Sequence, residues 1–299
     1  MSTSELFNIA AALLLAAGTA ALVDLAFKSG RALRVVRAVN VIAVLLLAAG
    51  FGLRWKYYIE TMDAGWLLSF PVSTFYESAS FFFLALLAAS LAASGRRTKA
   101  GSGRGQKGRT AASGGLAGVS PNESLLWCAV DFFVGAGILG LSLAGISAEP
   151  VLFLPSLKSY WLLAHVALSF VAYGMFALAA ILSVLVLVRR EGAEESAARI
   201  RALVRAGAVV FTIGGIFFGA MWAQTSWGRF WAWDPKETWA FITWCCYLAL
   251  IHFDRGDKLT HKQLAVFALV NFFVVIFTFV GVNLLFAGLH SYALIKAPA

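Results

Sequence analysis

The stretch YWLLAHVALSFVAYGMFALAAILSVLVLV, residues 160–188, contains no Asp, Glu, Lys or Arg in 29 consecutive positions. About 20 apolar residues in a helix cross the hydrocarbon core of a bilayer, so this stretch predicts a membrane-spanning helix. Comparable apolar segments lie near 6–27, 35–53, 72–93, 124–144, 207–222, 237–252 and 265–286. They are too long and too continuously apolar for barrel strands, and a backbone within lipid must satisfy its own hydrogen bonds. The sequence therefore predicts an all-α integral membrane protein with about eight transmembrane helices.

The composition agrees with this class. Of 299 residues, 61% are hydrophobic and 13% are charged, and the mean hydropathy is +0.81. Soluble domains are about 45–50% apolar and about 25% charged. These values exclude an ordinary soluble enzyme, a disordered protein and a disulfide-stapled secreted domain.

The net charge of +9 is unevenly distributed along the chain. Eighteen Lys and Arg fall in loops 28–37, 94–122, 189–205 and 253–263, whereas six fall in the intervening loops and near the C-terminus. The positive-inside rule places the first set in the cytoplasm. Both termini and loops 54–71, 145–159 and 223–236 are then on the outer, periplasmic face of a bacterial inner membrane. Because the basic residues are dispersed over four inner loops, we expect the lipid bilayer and no nucleic acid as a partner.

Three regions follow from this order. Residues 1–93 form an N-terminal three-helix membrane segment, and 94–122 is a basic, Gly/Ser-rich stretch typical of a flexible cytoplasmic loop. Residues 123–299 form a five-helix core that contains the outer loop 223–240.

The outer loop and its flanks are rich in tryptophan. Six of the ten tryptophans fall between 222 and 244: Trp222, Trp227, Trp231, Trp233, Trp239 and Trp244. An interfacial aromatic belt explains a few tryptophans at each membrane boundary. Six tryptophans within one loop and its flanks favour an aromatic platform for a large, planar, mostly apolar ligand.

Acidic residues at helix starts have a structural explanation. Asp234-Pro235-Lys236-Glu237 has the pattern of an N-cap, a first-turn proline and a capping box, and Thr74 and Glu77 repeat the cap spacing. The same helix N-terminus also offers backbone N–H groups and a positive dipole end to an anionic ligand group. Arg229 and Lys236 would add to that attraction.

The four histidines differ in depth. His165 lies about one and a half turns into the fifth predicted helix and His290 ends the eighth, both at the outer face. His252 ends the seventh helix on the inner side, and His261 is expected to be a solvated loop residue. A lone histidine is more often structural, but two at one depth beside a tryptophan cluster suit the axial positions of a heme iron.

Other intramembrane groups are less informative. Asp131 is a charge within the fourth predicted helix, and the sequence assigns it no partner or role. Cys128, Cys245 and Cys246 form no C-x-x-C pair and are expected to be free, buried thiols.

Four segments together resemble a known family. They are WAQTSWGRFWAWDPKETWAFITW (222–244), PVSTFYES (71–78), SYWLLAH (159–165) and GVNLLFAGLHSY (281–292). The first resembles the tryptophan-rich "WWD" signature of heme-handling proteins, and the set is similar to the CcsA/ResC type of cytochrome c biogenesis protein of system II. The resemblance covers roughly residues 70–292.

The resemblance implies a holocytochrome c synthase subunit that works with a ResB/CcsB-type membrane partner. Heme b, as substrate and bound ligand, would be presented at the outer face and joined by thioether bonds to a CxxCH apocytochrome c. His165 and His290 would be the catalytic residues and axial ligands of this outer heme. His252 would ligate a heme within the membrane, and its second ligand is inferred to come from the partner chain.

The resemblance also implies roles for the outer loop, whose residues would make 123–299 a heme-handling core. The residues expected to bind the heme there are Trp227, Arg229, Trp231, Trp233, Asp234 and Trp239. Three alternatives stay open: a heme transporter or chaperone without ligation activity, a CcmC-like or CcmF-like WWD protein, and a heme-free transporter with an aromatic-rich mouth.

Overall fold

The computed structural model describes residues 3–27, 32–61, 65–72, 74–95, 121–143, 146, 158–188, 192–286 and 288–290. All regular structure within these residues is helical, which confirms the all-α part of the predicted fold class. The helices are α1 (Thr3–Phe27), α2 (Ala32–Thr61), α3 (Gly65–Leu68), α4 (Phe75–Gly95), α5 (Pro121–Leu143), α6 (Tyr160–Val188), α7 (Ala193–Phe211), α8 (Gly219–Trp227), α9 (Pro235–Phe253), α10 (His261–Ile276) and α11 (Val282–Leu285). π-Helical segments Thr212–Phe218 and Phe277–Gly281 join α7 to α8 and α10 to α11.

Each predicted apolar segment coincides with a helix. Six helical stretches of the described chain are long and apolar enough to cross a membrane: Thr3–Val23, Arg34–Thr61, Leu125–Leu143, Tyr160–Val188, Ala193–Trp227 and His261–Leu285. A shorter apolar stretch, Phe75–Leu91, lies in α4, and α9 starts with the charged residues Lys236 and Glu237. The count of eight crossings and the outer position of both termini therefore stay predictions.

Helix α6 is the centre of the fold. It packs against α4, α7 and α10, and much of its surface is buried. Helix α1 packs against α2 and α5, and α4 connects this group to α6. The predicted flexible loop 94–122 lies almost entirely outside the described residues, and the proposed three-region division stays a prediction.

Two helices extend beyond the apolar segments that predict them. Helix α7 begins at Ala193, and its first half carries charged residues on one face, so its amphipathic start escapes a search for continuous apolar runs. Arg201 and Arg205, predicted in a loop, are on this helix; the Arg201 Nε lies 2.8 Å from Asp254 Oδ2, just after α9.

Helix α2 continues to Thr61, although residues 54–71 were predicted to form a loop. Arg54 is consequently a buried helical residue whose Nε lies 3.0 Å from Glu77 Oε1. The Tyr58 hydroxyl donates to the same oxygen at 2.8 Å. Glu77 also forms the predicted capping box, because its Oε2 accepts from the Thr74 amide at 3.1 Å. One carboxylate thus begins α4 and fixes it to α2.

Asp131 has a partner that the sequence did not reveal. It is fully buried, and the side-chain amide of Asn40 donates to its Oδ2 at 3.3 Å. The three cysteines are free, as predicted. Their predicted burial is correct for Cys128 only, because Cys246 is half-buried and Cys245 is exposed on α9.

Candidate functional site

A cavity opens at the end of the bundle where α6 begins and α8 ends. The cavity volume is about 120 Å³, within a larger region of about 1020 Å³ that includes open solvent at the mouth. The wall is mainly apolar and aromatic, as in most small-molecule sites. The polar and aromatic groups that matter below are His165, Trp222, Trp231, Lys236, Glu237 and His290. We call this space the histidine cavity.

His165 is held by a backbone carbonyl. Its Nδ1 lies 2.9 Å from the oxygen of Gly214, in the first π-helical segment. A carbonyl oxygen can only accept a hydrogen bond, so Nδ1 carries the proton and Nε2 keeps a free lone pair. That tautomer is the one a metal-binding histidine uses when its other ring nitrogen donates to the protein.

His290 is held in a similar way by a carboxylate. Its Nδ1 lies 2.7 Å from Asp234 Oδ2, and the adjacent Leu289 amide donates to Asp234 Oδ1 at 2.7 Å. The prediction that His290 ends a helix is wrong, because α11 ends at Leu285 and Phe286 is extended. His290 instead lies in a turn that returns to the start of α9.

Asp234 is therefore both a helix cap and an anchor for an imidazole. Its Oδ2 also accepts from the Lys236 amide at 3.1 Å, and with Glu237 it forms the predicted capping box. Burial opposes ionisation of this carboxyl, but the hydrogen bond with His290, together with the two backbone amides, holds its pKa below the usual value. Asp234 thus remains an anionic acceptor for the His290 N–H.

Trp222 contacts both histidines. Its side chain is almost fully buried, with 1% exposed. The His165 ring is nearly parallel to the indole, with 6.3 Å between ring centroids and an interplanar angle of 10°. The His290 ring lies edge-on to it, with a centroid distance of 5.2 Å and an angle of 61°. Trp227 packs edge-on against the same indole at 5.8 Å. One indole therefore sets the relative placement of the two imidazoles.

The other predicted platform residues are more dispersed. Trp231 lines the cavity, whereas the Trp233 residue is 67% exposed and has a positive backbone φ of 56°. The planes of the two indoles are at 82° to each other. These two indoles do not form a flat surface. Trp239 packs on Phe277 of the second π-helical segment at 4.3 Å, and Arg229 is exposed and outside the cavity lining.

His252 lies at the far end of α9, where it is exposed next to Phe253. It follows Asp234 by 18 residues, which is about 27 Å along a helix. It is therefore remote from the histidine cavity. His261, predicted in a solvated loop, is instead the half-buried first residue of α10. Within the described ranges, no group of three or more His, Cys, Asp or Glu side chains is arranged to hold a metal ion.

Several contributors to the cavity were not predicted: the Gly214 carbonyl, the buried position of Trp222, and Gly219. The run of glycines 214, 215 and 219 in an apolar helix was the available signal, because glycine there indicates close approach of another group. A Cβ built on Gly219 would lie 3.0 Å from the ring of His165.

Gly219→Ala is therefore expected to displace the His165 ring. Because the ring is also tied to Gly214, we expect about a tenfold loss in the affinity of any ligand bound through His165, in the range found for groups that orient a metal ligand. The measurement is a titration monitored by the ligand's absorption. Gly140→Ala, in α5 with no atom within 4 Å of the added methyl, is the matched control and should bind as the parent does. Equal affinity for both variants would contradict the prediction.

The sequence profile of the family described as "Cytochrome C assembly protein" matches residues 6–290. The chain belongs to this family.

Individual relatives of this cytochrome c assembly protein agree with the assignment to the CcsA type. A cytochrome c biogenesis protein CcsA of Chlamydomonas reinhardtii is 36% identical over 149 residues, which is 46% of this chain and 42% of that protein. CcsA of Prochlorococcus marinus (strain NATL1A) is 46% identical over 89 residues, 30% of this chain and 28% of the relative. Protein NrfI of Wolinella succinogenes is 34% identical over 170 residues, 53% of this chain and 19% of NrfI. The matches span less than half of the length of these relatives.

A solved structure has the same fold. The cytochrome c heme lyase CcmF superposes with a TM-score of 0.67 and 19% sequence identity, over 99% of this chain and 48% of CcmF. At this identity the match supports the fold of the assembly protein and no more.

Proposed function

We propose that this cytochrome c assembly protein holds heme b between His165 and His290 and presents it for attachment to apocytochromes c. The observation that carries the proposal is the pair of histidines, which line one cavity and both have Nδ1 tied to an acceptor. Each Nε2 is thereby free to bind iron, and bis-histidine ligation is a recognised mode for heme. The apolar wall and the Trp222 indole suit a large planar ring.

In the proposed reaction, heme is the substrate and an apocytochrome with a CxxCH motif is the acceptor. Each cysteine thiol adds across one vinyl group. The sulfur bonds to one vinyl carbon and the other vinyl carbon gains a hydrogen that balances the proton lost from the thiol, so no oxidant is consumed. The protein contributes position, since fixing the ring in one orientation turns a two-body encounter into a local one. The motif histidine then replaces His165 or His290 on the iron and releases the product.

The same proposal includes the setting of the site. The cavity faces the periplasm from the bacterial inner membrane, both termini lie on that side, and residues 123–299 form the heme-handling core. Trp227, Trp231, Trp233, Trp239, Arg229 and Asp234 surround the heme or support the groups that do. His252 ligates a second heme at the other end of α9, and its exposure leaves room for a second ligand from a ResB/CcsB-type partner.

The test reconstitutes the chain with a ResB-type partner, heme and a CxxCH acceptor. We expect covalent heme on the acceptor, measured by heme stain after denaturing electrophoresis, and no product from an acceptor with both cysteines changed to serine. A chain that binds heme through the two histidines but never transfers it would be a heme transporter or chaperone. A purified chain that takes up no heme would exclude both functions.

A further inference from the structure

We infer that Lys236 binds a carboxylate of the porphyrin. The inference rests on the proposed heme site and extends it, because it names the protein group that recognises the acidic edge of the ligand. It also narrows an expectation from the sequence, in which the helix N-terminus, Arg229 and Lys236 shared this role.

The N-terminus of α9 is already occupied. The Lys236 amide donates to Asp234 at 3.1 Å. The amides of Ala232 and Asp234 donate to Glu237 Oε2 at 2.7 and 3.3 Å. These backbone donors are committed to the capping carboxylates, so they are not available to an anionic ligand.

The side chain of Lys236 differs from these groups. It lines the histidine cavity, and its Nζ donates to Asn283 Oδ1 at 2.9 Å. An ammonium has three N–H donors, and the described part of the chain gives this one a single, neutral hydrogen-bond partner. Two donors remain for a ligand in the cavity.

The position is also electrostatically costly without a ligand. A cation in the first turn of a helix lies at the positive end of the helix dipole. The neighbouring carboxylate of Asp234 already accepts from Lys236 N, Leu289 N and His290, and Glu237 Oε2 accepts from two amides. The charge of Asp234 lies near the Lys236 ammonium without a hydrogen bond to it. Charges removed from water are normally paired, so this half-buried ammonium on a largely apolar wall favours an anion as the occupant. Heme meets this requirement because its two propionates are carboxylates on one edge of the ring.

The test compares ferric protoporphyrin IX with its dimethyl ester, which has the same ring, iron and vinyl groups but no carboxylates. Both are titrated into the purified full chain in detergent, and the bis-imidazole absorption spectrum is followed. The double variant His165→Ala with His290→Ala in the same detergent supplies the background from micelles. We expect the parent to bind the free acid about 10 to 100 times more tightly than the ester, the range for a hydrogen bond between charged groups.

In Lys236→Met the preference should fall to within about threefold, because binding of the acid weakens while binding of the ester is retained. Retained ester binding also shows that the variant is folded, and Lys236→Gln provides a second, polar substitution if the methionine variant does not purify. Lys236→Arg should keep most of the preference. Lys158→Met is the matched control, because Lys158 is exposed and outside the cavity lining, and it should behave as the parent.

Three results would overturn the role of Lys236: no preference in the parent, full preference in both Lys236→Met and Lys236→Gln, or loss of preference in Lys158→Met. In all three, the bis-imidazole spectrum persists and the heme site survives. Failure of both porphyrins to give that spectrum in the parent would instead reject the proposed function, and the inference with it.

Discussion

Alanine at His165 or at His290 is expected to abolish the bis-imidazole heme spectrum and to lower covalent attachment to a CxxCH acceptor more than a hundredfold. Losing a group that only orients a metal ligand typically costs 10–100-fold, and here the ligand itself is removed. Each variant leaves one imidazole in place, so a five-coordinate spectrum should appear. Added imidazole should restore six-coordination, because the truncated side chain leaves space at the iron.

His261→Ala is the control for this prediction, because His261 starts α10 at a distance from the histidine cavity. Asp234→Asn gives an intermediate case. Asparagine caps helices as well as aspartate does, so α9 should keep its start. It lacks the negative charge that holds the His290 N–H, and we expect a 10–100-fold loss. Unchanged spectra in both histidine variants would show that the iron is held elsewhere.

Glu77→Gln is expected to destabilise the protein by about 3–5 kcal/mol, the usual effect of removing one partner of a buried ion pair. Glu77 is fully buried, and its Oε1 faces the buried Arg54 guanidinium at 3.0 Å and the Tyr58 hydroxyl at 2.8 Å. Glutamine preserves the size and the capping oxygen, but it places an amide donor where Arg54 and Tyr58 need an acceptor, so the measured loss includes the charge and that acceptor. The measurement is the midpoint temperature of thermal unfolding in detergent, determined for each variant at the same heating rate.

Two further variants make the result specific. Combining Arg54→Met with Glu77→Gln should recover much of the loss, because no buried charge is then left without compensation and the capping oxygen is kept. Glu60→Gln removes half of an exposed pair with Lys56 on the same helix α2, with 3.8 Å between Nζ and Oε1. It should change stability by less than about 1 kcal/mol. Equal effects at residues 60 and 77 would contradict the importance of burial.

The parts of the fold set by local sequence were predictable. Apolar runs located the eight main helical stretches, because length and hydrophobicity are properties of each segment alone. The Asp234 and Thr74 capping boxes followed from spacing, since a cap and its partner lie three residues apart.

Features that depend on contacts between segments were not predictable in this way. The turn that carries His290 is fixed by Asp234, which is 56 residues away in the chain. Trp222 looked like its neighbours in a tryptophan-rich stretch, but α6 and the turn at 288–290 bring both histidines against it. The Gly214 carbonyl that holds His165 belongs to a π-helical segment, and no residue type specifies such a segment by itself.

The carboxylate of Asp234 has a mechanical consequence. It joins the peptide that follows exposed Trp233 to the turn of Leu289 and His290, so these two pieces of chain form one cooperative unit. Trp233 is the residue before Asp234, and Asp234 is hydrogen-bonded to His290. A displacement of the Trp233 side chain, for example by a bound molecule, would therefore be passed to the His290 imidazole. Local melting of the first turn of α9 would release the same imidazole. The position of the His290 ring therefore depends on the stability of a helix terminus, so movement of loop 223–240 would also move this ring.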